Sequence, residues 1–174
     1  MTLQLGFDIE SLIDEATLET AGPWKGAPLG YTTDYYTPTD LAEAFERYVL
    51  ENGHFGCYGQ SHMWRPAIAR NPLAIAGHAL HVLHASTHCS YDAHDHDDLT
   101  GRGGAQANCP NCRWHVIDHD ESHVIEAWHD HAMPGWRDLP TLPGGLSPKR
   151  QQTWLEEHYP PEWQIDGAPV LTLR

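Results

Sequence analysis

The 174 residues carry 24 acidic against 10 basic side chains, a formal charge of −14, which argues against a plain nucleic-acid binder because phosphate affinity rests on Lys and Arg releasing counterions. A hydrophobic content of 40% with seven Trp and seven Tyr argues against a disordered chain, and thirteen Pro with fifteen Gly against one built mainly of long regular elements. No apolar run approaches the roughly 18 residues of a membrane span.

The length suits one domain with a real core. The expected fold is a small, loop-rich α+β domain of short antiparallel strands, about three helices and a zinc-ribbon-like knuckle. It divides into an N-terminal arm over 1–36, a helix over 37–53, a zinc-knuckle region over 78–140, and a C-terminal helix with a docked tail over 147–174. Cys57, Cys89, Cys109 and Cys112, in a chain without a charged-then-apolar leader, read as thiols or metal ligands of a soluble cytoplasmic protein rather than a disulfide framework. The acidic balance suits a basic partner surface or mimicry of nucleic acid, the plain alternative being a solvated face.

In chain order, Leu3, Leu5, Phe7 and Ile9 alternate as an edge strand, Ser11 to Leu18 forms a short helical turn, and Ala21 to Tyr36 is an extended arm pinned by Trp24, Tyr31, Tyr35 and Tyr36. Thr37-Pro38-Thr39-Asp40 starts a helix, with Thr37 as N-cap and Asp40 at the positive dipole end. Leu41, Phe45, Tyr48 and Val49 give it one apolar stripe, and Gly53 stops it. His54 and Cys57 stand at H-x-x-C spacing, open to metal ligation or to plain burial in a tight loop. His78 to Ala85 reads as a strand, which sends His78, His81 and His84 to alternating faces and so argues against a common site for the three. The Asp92, His94, Asp95, His96, Asp97, Asp98 run lacks the spacing of a calcium loop and reads as a solvated connection.

The chemistry concentrates between Asn108 and Pro140. Cys109-Pro110-Asn111-Cys112 puts two thiols at the spacing that lets both sulfurs reach one tetrahedral Zn²⁺. Acidic surroundings and the lack of a βαβ pattern argue against a redox motif, which makes structural zinc the expected cofactor. Trp114 to Ile117 is a short strand; Asp118-His119-Asp120 then caps a three-turn helix with Val124, Ile125, Trp128 and Ala132 on its buried stripe. Residues two apart on a helix point about 200° apart, so His129 and His131 ligate together only if the helix unwinds there. Several shells therefore compete: Cys109, Cys112 and His129 with His131 or Cys89; the two thiols with His88 and Cys89; or the two thiols with His54 and Cys57. Asp130 and Asp138 are candidates to orient a ligating imidazole. Ser147 caps a last helix, Trp163, Ile165, Val170 and Leu171 are expected to dock the tail, and Trp64 and Trp136 to shield the metal.

The run from Cys109-Pro-Asn-Cys112-Arg-Trp through Glu121 to Val124-Ile-Glu-Ala-Trp128 is similar to the second half of Lar-type restriction-alleviation zinc ribbons, whose first knuckle is missing here. More broadly, Ser61-His-Met-Trp64, Ala127-Trp-His-Asp-His131, Pro134-Gly-Trp-Arg-Asp-Leu-Pro140 and Pro161-Glu-Trp-Gln-Ile-Asp-Gly-Ala-Pro-Val-Leu-Thr172 resemble an uncharacterised family of small proteins of actinobacteria and their phages. That likeness implies an accessory phage or mobile-element product. The resulting expectation is a non-enzymatic, zinc-stabilised binding or regulatory protein acting on an unidentified protein partner of the host, with no direct nucleic-acid or membrane binding. A metal-dependent hydrolase or nuclease on a His/Asp site is the alternative, and an acidic DNA mimic the second. No H-E-x-x-H, G-x-S-x-G or phosphate-binding glycine loop is present.

Overall fold

The computed structural model describes residues 9–52, 62–66, 73–86 and 104–172. Its elements make an α+β architecture with, among those residues, four α-helices and one antiparallel sheet.

Helix α1 spans Ile9–Ala21. It is longer than the short turn expected, and it absorbs Ile9, which therefore does not end an edge strand; nothing from Ile9 to Ala21 breaks a helix, and Gly22, at φ +67°, stops it. The rest of that proposed strand lies outside the described residues. Helix α2, Pro38–Asn52, starts on a reciprocal cap. Thr37 Oγ1 accepts from Asp40 N–H at 3.1 Å, while Asp40 Oδ2 accepts from Thr37 N–H at 3.0 Å. Both exposed donors at the helix start are thereby satisfied.

The sheet runs β1 (Arg65–Pro66), β3 (His78–Ala85), β4 (Gly104–Cys109), β5 (Trp114–Asp118), with β2 (Leu73–Ile75) also paired to β3. Ala76 and Gly77 close the β2–β3 hairpin at φ +50° and +84°, the paired left-handed conformation whose twist matches a two-residue hairpin. The β3–β4–β5 register sets Val82 beside Ala107 beside Val116 on one face, and His81 beside Asn108 beside His115 on the other.

The first face carries the larger core. Helix α3, Glu121–Ala132, opens on Asp120, whose Oδ1 accepts from Ser122 N–H at 2.8 Å. It lays Val124, Trp128 and Ala132 over Ala105 and Ala107, whose small side chains let it approach the sheet closely. Trp163 and Leu171 of the tail pack against the same cluster, and Ile165 and Val170 stay exposed, contrary to the expectation that all four dock. The second face is covered by α2 and the arm, through Leu41, Ala44, Trp64 and Leu83 with Tyr31 and Tyr36. Trp64 Nε1–H donates to Thr32 O at 2.7 Å and Asn108 Nδ2–H to Tyr36 O at 2.8 Å, so the arm is held by its own carbonyls as well as by its rings. Helix α4, Pro148–His158, begins after Ser147 as expected, yet the serine side chain makes no cap hydrogen bond.

Candidate metal centre

Three turns of backbone converge at one end of the first face. Cys109 ends β4, and the chain then makes a 3₁₀ turn, Pro110–Cys112, before Arg113 takes a left-handed φ of +54° and leads into β5 at Trp114. That is a knuckle: two sulfurs on one tight hairpin. Asn111 Nδ2–H donates to Gly77 O at 2.6 Å, tying the knuckle to the β2–β3 hairpin and bringing His78, the first residue of β3, beside it. Finally, the last turn of α3 delivers His131.

One ligating atom from each of His78, Cys109, Cys112 and His131 lies within 4.8 Å of all the others. His78 Nδ1 is 3.8 Å from Cys109 Sγ and 3.3 Å from Cys112 Sγ. In a tetrahedral zinc site with bonds of about 2.3 Å to sulfur and 2.05 Å to nitrogen, S···N separations come to about 3.6 Å. The observed spacings bracket that value. His131 stacks on Trp114 with ring centroids 4.6 Å apart and planes 3° apart, and meets the His78 ring edge-on at 4.8 Å.

The electrostatics fit a cation. His131 Nε2 is buried without a hydrogen-bond partner among the described residues, an uncompensated cost that a coordinate bond would remove. Burial, and then the neighbouring His78, hold the His131 pKa below its ordinary 6.5, a shift toward the neutral imidazole that a metal needs. Burial pushes the Cys112 thiol up, reinforced by the hydrogen bond and charge of Cys109. Two sulfurs this close resist ionising together unless a positive ion sits between them.

Of the residues singled out in the sequence, Cys109, Cys112 and His131 come together. His129 does not join them: α3 stays helical through Ala132, so the two histidines point apart, and His129 Nε2–H donates to Gly167 O at 3.1 Å on the other side. Desolvation holds the His129 pKa below its ordinary value. Cys89, His88, His54, Cys57 and the Asp/His run from Asp92 to Asp98 lie outside the described residues. Asp130 orients no ligand. It accepts from Trp136 Nε1 at 2.7 Å and takes Arg137 through both carboxylate oxygens at 3.0 Å; the guanidinium is the main cause of its depressed pKa. Trp64, also expected to shield the metal, sits on the opposite face; the ring stacked on His131 is Trp114, which the sequence marked only as a strand residue. The residue missed is His78. Its signal was indirect: it follows a two-residue hairpin turn and pairs with Ile75 of β2, and the Asn111–Gly77 hydrogen bond sets it beside the knuckle.

The fold and this Cys₂His₂ cluster define a small α+β protein with a candidate metal-binding knuckle. The chain belongs to a family of unknown function (DUF6349), whose sequence model matches residues 26–174. No curated protein and no solved structure matches it.

Proposed function

We propose that this is a non-enzymatic, zinc-stabilised binding protein in which Zn²⁺ is held by His78, Cys109, Cys112 and His131 and the acidic surface engages a protein partner. The observation that carries the reading is the convergence of four ligating atoms from three separate chain segments. A knuckle, a hairpin start and a helix end have no covalent reason to meet, and one ion would fasten all three. Two thiolates and two imidazoles form a donor set that zinc favours, and four protein ligands fill its tetrahedral shell, leaving no position for an activated water. That donor count is why a structural role is preferred over metal-assisted hydrolysis. The short strands would gain folding free energy directly from the ion.

The reading extends to a single-domain protein of the reducing cytoplasm, where thiols stay available to metal, and to an accessory product of a phage or mobile element that modulates a host protein. Support for the last step is the sequence likeness described above. Elemental assay of purified protein should give one zinc per chain, and cobalt substitution should give the visible bands of a tetrahedral thiolate site. Absence of any transition metal, or a cobalt spectrum with bound water, would sink the structural reading.

A further inference from the structure

Three large hydrophobic residues are exposed among the described residues: Ile13, Ile165 and Val170. Two of them line one cleft of about 280 Å³, formed where the tail folds back over the C-terminal half of α4. Leu155, Tyr159 and Trp163 line it as well, with Asp166 as its charged member. The volume is at the low end of small-molecule pockets, of a size for one or two side chains of a partner. Its frame is firm: Tyr159 O–H donates to Pro140 O at 2.9 Å and accepts from Leu171 N–H at 3.1 Å, while Gln164 Nε2–H donates to Tyr159 O at 2.7 Å.

Charge selects the occupant. Between Gln151 and Thr172 the chain carries Glu156, Glu157, Glu162 and Asp166 and no Lys or Arg. Asp166 makes no hydrogen bond or ion pair with the described residues, which leaves its carboxylate free to meet a cation. A long basic side chain matches the apolar residues of this cleft and its one carboxylate. Its methylenes would cover Ile165 and Val170, its charged head would meet Asp166, and the rings of Trp163 and Tyr159 would attract the same cation.

We propose that this cleft is the docking site for a basic segment of a partner protein, anchored by an arginine or lysine. The proposal rests on the protein-binding half of the function given above and not on the metal. The −14 chain would draw such a segment in from a distance, and the cleft would fix where it lands.

The test titrates the intact chain with a fluorescent heptapeptide, Ala-Arg-Leu-Arg-Leu-Arg-Ala, and with its counterpart carrying Gln for each Arg. The arginine peptide should bind at least about tenfold more tightly, and Asp166→Asn and Val170→Ser should each cost about tenfold without moving the melting temperature, as for central interface side chains. Glu46→Gln, an exposed charge on α2, should leave affinity unchanged. Equal affinity for the two peptides, indifference to Asp166→Asn, or an equal loss in Glu46→Gln would overturn the proposal and leave only diffuse attraction to net charge. Self-association abolished by Val170→Ser would also overturn it, by assigning the cleft to a second copy. Zinc content measured on the same samples reports on the metal reading separately.

Discussion

One strand serves both faces of the sheet, and the two faces are built on opposite principles. From β4, Ala105, Ala107 and Cys109 point toward α3, a face of small and apolar groups that closes at the metal cluster. Gln106 and Asn108 point the other way, fully buried beneath the arm and α2, where both polar atoms of Gln106 and the Oδ1 of Asn108 have no partner among the described residues. The first face holds large apolar packing and a candidate ion, with Trp128 Nε1 its one unpartnered indole among the described residues; the second accepts two buried amides, at a cost of about 1–3 kcal/mol for each unsatisfied group. Stability should therefore be concentrated on the α3 side. The arm side should be the softer one.

The sharpest way to break that contrast is at the cluster. Cys109→Ser or Cys112→Ser should remove most of the folding free energy contributed by the ion, several kcal/mol, since structural zinc binds peptides with roughly 10–16 kcal/mol at neutral pH. Melting with and without a chelator should shift the wild type strongly and the variants little; a variant melting like wild type would leave the α3 face held by packing alone. Next in size, Trp128→Ala should cost about 3–5 kcal/mol in denaturant unfolding, because the ring is wholly buried at the centre of that face. If Leu83→Ala on the arm side costs as much as Trp128→Ala, the two faces are equally tight.

Gln106→Leu tests the soft face from the other direction. Replacing an unpartnered buried amide with a side chain of similar size should be neutral or stabilising by about 1 kcal/mol; a loss beyond about 2 kcal/mol would mean that the amide has a partner in solution. Removing the reciprocal cap with Thr37→Ala should cost about 1 kcal/mol through α2 alone. The smallest effect concerns pH. Burial holds the His81 pKa below its ordinary 6.5, so the unfolded chain binds the proton more readily. The stability contributed by neutral His81 is complete above about pH 6.5 and is lost as pH falls toward the folded value. His81→Gln should flatten the melting curve's pH dependence over that window, and an unchanged slope would assign it to other histidines.

Much of the α3 side was legible in the sequence. The strand from His78 to Ala85, the knuckle, β5, the aspartate cap and the stripe of α3 all follow from local patterns, because each obeys a period or a spacing within a dozen residues. β4 was silent for a physical reason. Gly-Ala-Gln-Ala-Asn-Cys holds no aromatic or β-branched residue, and it is a strand because its neighbours pair with it on both sides. His78 was missed on a related account: it meets the two thiols only because the β2–β3 hairpin is tied to the knuckle through Asn111 and Gly77, a contact between segments more than thirty residues apart. The choice between His129 and His131 needed to know only that the helix does not unwind. The sequence posed that question, and the backbone puts His131 rather than His129 beside the two thiols.

That choice has a mechanical side. Two positions apart, His131 reaches the cluster while His129 holds the tail through the carbonyl of Gly167. The end of α3 is thus a rivet through two plates, and what loosens one loosens the other. If the cluster holds an ion, stripping it would also loosen the Gly167 contact, and the segment after α4 would become more open to proteolysis.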